Sequence, residues 1–149
     1  MARSQLNKLN GTSAGFRIVG MDDVQLYQTA MRHALELPGA QEREYAPGWT
    51  AVRVAGKWFM VATELHGRQL INVKADPSDV IALREAYASI GPGYHMNKTH
   101  WITITAGEDI DSQFLSELIT DSYALIIAGL PKAKRPYLVG NMRSKVAGV

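Results

Sequence analysis

Residues 41–74 read QEREYAPGWTAVRVAGKWFMVATELHGRQLINVK, and the pattern of this stretch is typical of a β-sheet. Three pairs of turn residues divide it into strand-like runs: Pro47-Gly48, Ala55-Gly56 and His66-Gly67. Short connections that contain glycine are typical of β-hairpins, and Pro47-Gly48 suits a type II turn, in which the glycine takes a positive φ. The stretch therefore predicts an antiparallel meander of four strands.

Helical patterns flank this meander on both sides, and one further strand follows. Each predicted helix opens at an aspartate that can cap it and closes at glycine or proline residues. Residues 100–105 (HWITIT) alternate in the way that is typical of a strand. The predicted order is α-ββββ-α-β-α, an α+β domain in which an antiparallel sheet of about five strands packs against three helices. The helices begin at Asp22 or Asp23, at Asp76-Pro77 and at Asp111, and they end at residues 37–39, before residue 91 and at residues 129–131.

The composition is that of a single globular domain, with 149 residues of which 46% are hydrophobic and 20% are charged. The chain contains no cysteine, which excludes disulfides, thiolate zinc sites and a cysteine nucleophile, and which fits a reducing cytoplasm. No apolar run reaches the length of about 18 residues that a membrane span needs. We therefore expect a cytoplasmic monomer that does not associate with a membrane.

Charge is distributed unevenly, with basic ends and an acidic body. Residues 1–20 carry three basic residues and residues 132–149 carry five, and neither segment has an acid. Residues 21–131 carry 8 basic and 14 acidic residues, a net charge of −6, which opposes binding to a nucleic-acid duplex unless the charge is one-sided. We predict that residues 1–20 are a flexible leader or an expression remnant, that residues 21–136 form the domain, and that residues 137–149 are a basic, flexible tail.

Alternation along two of the predicted strands assigns their side chains to opposite faces of the sheet. The apolar residues that should point inward under the helices are Ile71, Val73, Ile102 and Ile104. The residues that should occupy the other face are Asn72, Lys74, Trp101, Thr103 and Thr105. Two interpretations of Trp101 on this polar face stay open: it marks a binding surface, or a loop or tail covers it.

The segment GPGYHMNKTHW (91–101) concentrates unusual residues between the second helix and the last strand. It is one of five stretches that together resemble the MmcQ/YjbR family, in the family's order and over about residues 22–136. The stretches are LELPGAQE (35–42), RVAGKWFM (53–60), LINVKADP (70–77), GPGYHMNKTHW (91–101) and LITDSYALIIAGLPKAKR (118–135). The resemblance implies a CyaY-like α+β fold, related to the "double wing" DNA-binding domain of a phage transcription activator. It also implies DNA binding.

Patterns for catalysis or for a bound cofactor are missing from the sequence. His95 and His100 are five residues apart, with no carboxylate or cysteine at a ligand spacing beside them, so we expect no metal. The chain also lacks the glycine-rich loops that bind phosphates, and Ser122 lies within the last predicted helix, where a packing role is expected. We therefore expect no enzymatic activity and no cofactor.

Two functions stay open: nucleic-acid binding and ligand binding. Cationic side chains can bind phosphates, Trp101 can stack on a base, and Asn97 can bind an adenine edge. So few contacts predict weak, salt-sensitive binding to DNA through the outer sheet face and the wing hairpins. The alternative is a non-catalytic module for a protein partner or a small anion, with Lys74, His95 and Lys98 in a shallow pocket. The candidate binding residues for either function are Lys57, Arg68, Lys74, His95, Asn97, Lys98, His100 and Trp101.

Overall fold

The structure, a computed structural model, describes residues 20–149, so the predicted leader lies outside the described residues apart from Gly20. Within that range the chain forms six strands and four α-helices, and the predicted α+β class is confirmed. In chain order the elements are α1 (Asp23–Glu36), β1 (Gln41–Ala46), β2 (Trp49–Val54), β3 (Lys57–Leu65), β4 (Arg68–Lys74), α2 (Pro77–Ala86), β5 (Ile90–Pro92), β6 (Trp101–Ile104), α3 (Ser112–Ala128), a 3-10 turn (Lys132–Lys134) and α4 (Gly140–Ala147).

The strands form one antiparallel sheet in the order β1-β2-β3-β4-β6-β5. Hairpins join the first four strands, so the meander predicted for residues 41–74 is confirmed. Gly48, Gly56 and Gly67 have positive φ values between 78° and 80°. Ala55 (49°) and His66 (52°) precede two of these glycines, which gives both hairpins the paired positive φ values of a type I′ turn.

Helices α1, α2 and α3 pack on one face of this sheet and enclose the core. Ile71, Val73, Ile102 and Ile104 are fully buried in that core, as their alternation predicts. Each predicted helix start is also confirmed, because aspartate carboxylates accept backbone N–H groups at all three positions: Asp22 for α1, Asp76 for α2 and Asp111 for α3.

Two elements of the described chain were not predicted. Residues Ile90–Pro92 form β5, where Pro92 is tolerated because β5 is an edge strand that needs no N–H donor on its outer side. Part of the predicted tail forms α4, in which Val146 is buried and the Lys145 Nζ lies 2.6 Å from the Asp121 Oδ1 of α3. No helix among residues 20–149 has both the length and the apolar character that a membrane span requires.

Candidate nucleic-acid interface

The segment between β5 and β6 folds over the face of the sheet opposite the helices, which we call the outer face. Its anchor is Asn72, a fully buried residue of β4. The Tyr94 backbone N–H donates to Asn72 Oδ1 (3.1 Å) and to Thr103 Oγ1 (2.8 Å), and the Thr103 hydroxyl donates to Asn72 Oδ1 at 2.6 Å. Residues 93–100, the crossing loop, are thereby attached to the middle of the outer face. The outer face is therefore not open to solvent where the sequence predicts polar residues 72 and 103.

Polar side chains of the crossing loop are used to hold the loop itself. The Lys98 Nζ donates to the carbonyl oxygens of Gly93 (2.8 Å) and Met96 (3.2 Å). The Asn97 Oδ1 accepts the N–H groups of residues 99 (2.9 Å) and 100 (3.2 Å), which forms a turn. Gly93 is required because a β-carbon there would lie 2.8 Å from that of Trp101. The structure therefore gives Asn97 and Lys98 local structural roles.

Aromatic side chains form a continuous group on the outer face, beside the crossing loop. The Tyr45 ring centroid lies 5.5 Å from that of Trp58 and 5.9 Å from that of Trp49. The Trp49 and Tyr94 rings are parallel to within 1° at 5.8 Å, and His95 packs edge-on against both. We call Tyr45, Trp49, Trp58, Tyr94 and His95 the aromatic face. Its members come from β1, β2, β3 and the crossing loop, so the sheet brings together residues up to 50 positions apart.

Strand register makes the charge of the outer face one-sided. Arg43 pairs with Ala51, and Arg53 pairs with Trp58, so both arginines belong to the outward row. Glu42 and Glu44 instead pair with residues 52 and 50, on the opposite face of the sheet, and both are exposed on the edge strand β1. Among the described strand residues, the outward row of the sheet contains no carboxylate. The acidic balance of the body therefore does not extend to this surface.

Arg53 is the cation most closely associated with the aromatic face. Its Cζ lies 5.9 Å from the centroid of the Trp58 ring, within the range of a cation–π contact. Its Nε is buried and has no hydrogen-bond partner in the described part of the chain. A buried donor without a partner is uncommon in a folded protein, so no hydrogen bond from Nε fixes the orientation of this guanidinium.

The predicted binding residues do not form one cluster. Lys57 lies at the exposed tip of the β2–β3 hairpin, whereas Arg68 lies at the other end of β3, where it pairs with Asp23 at 3.3 Å. Lys74 pairs with Trp101 across β4 and β6, at the margin of the outer face. No hydrogen bond or ion pair of residues 20–149 links Lys74 with His95 or Lys98, the three residues of the predicted anion pocket.

The two predicted histidines have different surroundings. His95 has a positive φ of 57° and contacts the rings of Trp49 and Tyr94. His100 is exposed, and its carbonyl oxygen accepts the Ala75 N–H (2.9 Å) just before β6 begins. In residues 20–149, no three histidine, aspartate or glutamate side chains are grouped closely enough to hold a metal ion.

Sequence reasoning missed most of this surface: Arg43, Tyr45, Trp49, Arg53 and Trp58. A signal was present, because alternation along β1 and β2 assigns Arg43 and Tyr45 to one row and Trp49 and Arg53 to another. What alternation alone could not show is that the two rows lie on the same face of the sheet. Only the pairing register settles that.

Comparison with known proteins agrees with this architecture. A family model described as YjbR matches residues 35–125. The chain belongs to the YjbR family. It is 43% identical over 113 residues to the uncharacterised protein YbdF of Escherichia coli O157:H7, which covers 75% of this chain and 93% of that relative. It is 26% identical over 111 residues to the uncharacterised protein YjbR of Escherichia coli K12, covering 73% and 93%.

Two solved structures share this fold. The crystal structure of Deinococcus radiodurans protein DR2400, with the domain DUF419, superposes with a TM-score of 0.64 at 29% identity. That similarity covers 69% of this YjbR-family chain and 80% of the other. A Pseudomonas syringae protein superposes with a TM-score of 0.57 at 25% identity, covering 66% and 96%. The resemblance to the MmcQ/YjbR family noted in the sequence is thus confirmed.

Proposed function

We propose that this YjbR-family protein binds nucleic acid weakly, through the outer face of its sheet and the tip of the β2–β3 hairpin. The observation that carries the proposal is the outward row of β1, β2 and β3. There, aromatic rings and two arginines occupy one surface without a carboxylate among them. Phosphates are bound by cationic side chains, and bases by aromatic rings, so this surface offers both kinds of contact.

The acidic composition of residues 21–131 is the main argument against nucleic-acid binding, and the distribution of charge over the two faces of the sheet weakens that argument. The net charge of −6 in residues 21–131 would repel a polyanion if it were spread evenly. Glu42 and Glu44 are exposed on the edge strand, but they lie on the opposite face from Arg43 and Arg53, so a phosphate that approaches the outer face meets the arginines first. At an ionic strength of 0.15 M, charges more than about 8 Å away are largely screened, which favours the local arrangement over the net charge.

Few cations are present, and this limits the affinity. Arg43 and Arg53 supply two contacts from the outward row, and one Arg43 N–H also donates to the Glu42 carbonyl (2.7 Å). Lys57 pairs with Val54 of the opposite row and adds a third contact from the exposed hairpin tip, whereas Lys98 is committed to carbonyl oxygens of its own loop and Arg68 to Asp23. With about three phosphates neutralised, the logarithm of the binding constant should fall with the logarithm of salt concentration with a slope of about −2 to −3. Binding should therefore be detectable at low salt and weak at physiological salt.

Charge reversal tests the proposal. We expect Arg43→Glu with Arg53→Glu to weaken binding of a fluorescein-labelled oligonucleotide at least about tenfold and to reduce the salt slope by about two. The matched control is Arg32→Glu with Arg84→Glu, which makes the same charge change at exposed positions of α1 and α2. Fluorescence anisotropy is measured with single-stranded and duplex DNA. Equal loss in both variants, or the same loss for Lys132→Glu with Lys134→Glu at exposed positions after α3, would show that the outer face is not the interface.

A further inference from the structure

We infer that the nucleic acid bound on the outer face is a single strand, whose bases stack on the aromatic face. This inference rests on the proposed function and specifies its ligand. The aromatic rings favour a single strand over a duplex, because an aromatic ring stacks on the flat face of a base. A single strand can present those faces, whereas each internal base pair of a duplex is covered by its neighbours on both sides.

Ring surface remains available on the aromatic face. Tyr45 is 40% exposed, and Trp49 and Trp58 are half-buried. The parallel rings of Trp49 and Tyr94 have centroids 5.8 Å apart, wider than the contact distance of about 3.5–4 Å between stacked carbon atoms. The two rings are therefore displaced sideways, and part of each surface is left uncovered by the other. A base can stack there without displacing a core side chain.

Cations and rings alternate on the same surface, as bases and phosphates do along a single strand. Arg43 and Tyr45 lie two positions apart on β1, and Arg53 lies beside Trp58 across the β2–β3 pair. Arg53 is half-buried with its guanidinium beside the Trp58 ring, so the guanidinium can donate to the phosphate that follows a base stacked on Trp58. A base and its phosphate would then be bound by neighbouring groups.

Duplex binding has less support from the same surface. The crossing loop occupies the middle of the outer face, and α1, α2 and α3 pack on the opposite side, so no one of these three helices can enter a major groove from this face. The β2–β3 hairpin could enter a groove, but its tip offers one cation, Lys57, beside Ala55 and Gly56. One cation gives little affinity for a duplex.

Intrinsic fluorescence tests the inference, because all three tryptophans of the chain belong to the outward row of the sheet: Trp49, Trp58 and Trp101. The protein is titrated at low salt with single-stranded thymidine and uridine oligonucleotides of about eight nucleotides, with a duplex of equal length, and with an abasic strand that has the same phosphates. We expect the single strands to quench fluorescence and to bind at least about tenfold more tightly than the duplex or the abasic strand.

A matched pair of tyrosine variants adds a second readout. Tyr45→Ala removes an exposed ring at the sheet edge and should weaken single-strand binding about fivefold to tenfold. Tyr45→Phe keeps the ring and should bind as the parent does. Tyr137→Ala, at a position 85% exposed and outside the sheet, should also leave binding unchanged. If Tyr45→Ala does not fold, the abasic strand still tests the contribution of the bases.

The outcomes of this experiment distinguish the inference of single-strand binding from the proposed function of nucleic-acid binding. Quenching by both single strands, or by the thymidine or uridine strand alone, supports the inference and shows which of the two strands is accepted. A duplex that binds as tightly as the single strands overturns the inference and leaves the proposed function in place. Equal binding of the abasic strand does the same, because it shows that phosphates alone are bound. Absence of binding to every oligonucleotide overturns both.

Discussion

Replacing Asn72 by alanine would remove the side chain that joins three parts of the molecule beneath the crossing loop. Its Oδ1 accepts the Thr103 hydroxyl (2.6 Å) and the Tyr94 N–H (3.1 Å), and its Nδ2 donates to the Val61 carbonyl at 3.2 Å. The residue is fully buried, so water does not replace these partners without local opening. The outer face should therefore lose both stability and the fixed position of its loop.

The loss in the free energy of unfolding depends on which groups lose their hydrogen-bond partners. Tyr94 keeps its second acceptor, Thr103 Oγ1, at 2.8 Å and contributes little. The buried Thr103 hydroxyl loses its acceptor, which costs about 1–3 kcal/mol, and the Val61 carbonyl loses a donor, which costs about 0.5–1.5 kcal/mol. The expected loss in the free energy of unfolding is about 2–4 kcal/mol, out of a total that is typically about 5–15 kcal/mol.

Urea unfolding, followed by tryptophan fluorescence, measures this loss. Asn141→Ala is the control, because Asn141 is exposed on α4 and its removal should change stability by less than about 0.5 kcal/mol. A double-mutant cycle of Asn72→Ala with Thr103→Val should give a coupling of about 1–2 kcal/mol. A loss below about 1 kcal/mol for Asn72→Ala, or strict additivity in the cycle, would refute the hydrogen-bond network as the anchor of the loop.

Two further predictions concern the loop and the helix layer. Gly93→Ala should destabilise the protein by about 1–3 kcal/mol, because the new β-carbon would lie 2.8 Å from the Trp101 β-carbon. Gly91→Ala places its β-carbon in open space and should be near neutral. Thermal unfolding compares the stability of the two variants. Burial lowers the pKa of His33 below its ordinary value, outweighing the opposing charge of Glu36. The unfolded chain therefore binds more protons below about pH 6.5, so the urea midpoint should fall as the pH drops from about 7.5 to about 5.5. His33→Gln should reduce that fall, and an unchanged pH dependence would rule out His33 as its source.

Local sequence features predicted the helix starts and the hairpins, because their causes lie within a few residues. Asp22, Asp76 and Asp111 each cap a helix by bonding N–H groups two or three positions away. The glycines of the meander adopt the positive φ values that their turns require. Such contacts do not depend on the rest of the fold, so a reading of single segments is sufficient to find them.

Elements that depend on distant partners were missed. Strand β5 has three residues, too few for a period to show, and it exists because Gly91 and Pro92 pair with β6. Helix α4 shows no clear apolar pattern, and it is placed by Val146 and by the pairing of Lys145 with Asp121 of α3. Each contact joins positions that are separated in the sequence, and no local spacing reveals it.

The residues of the candidate site differ from those predicted, because the contacts that assemble the site also join positions distant in the sequence. The sequence drew attention to Lys98 and Trp101, which lie in a dense and unusual segment. In the structure Lys98 bonds carbonyl oxygens of its own loop, and the aromatic face is assembled instead by register across β1, β2 and β3. Bulges at residues 44–46 and 52–53 alter that register, so counting along each strand could not have placed Tyr45 beside Trp58.

The most direct test of the central claim is an NMR titration of the ¹⁵N-labelled protein with a single-stranded thymidine oligonucleotide at low salt. The claim is that nucleic acid binds on the outer face. It predicts that the indole N–H signals of Trp49 and Trp58 and the backbone signal of Arg53 shift together, while those of α1 and α2 stay in place. Shifts confined to residues 132–149, or to the helices, would contradict it.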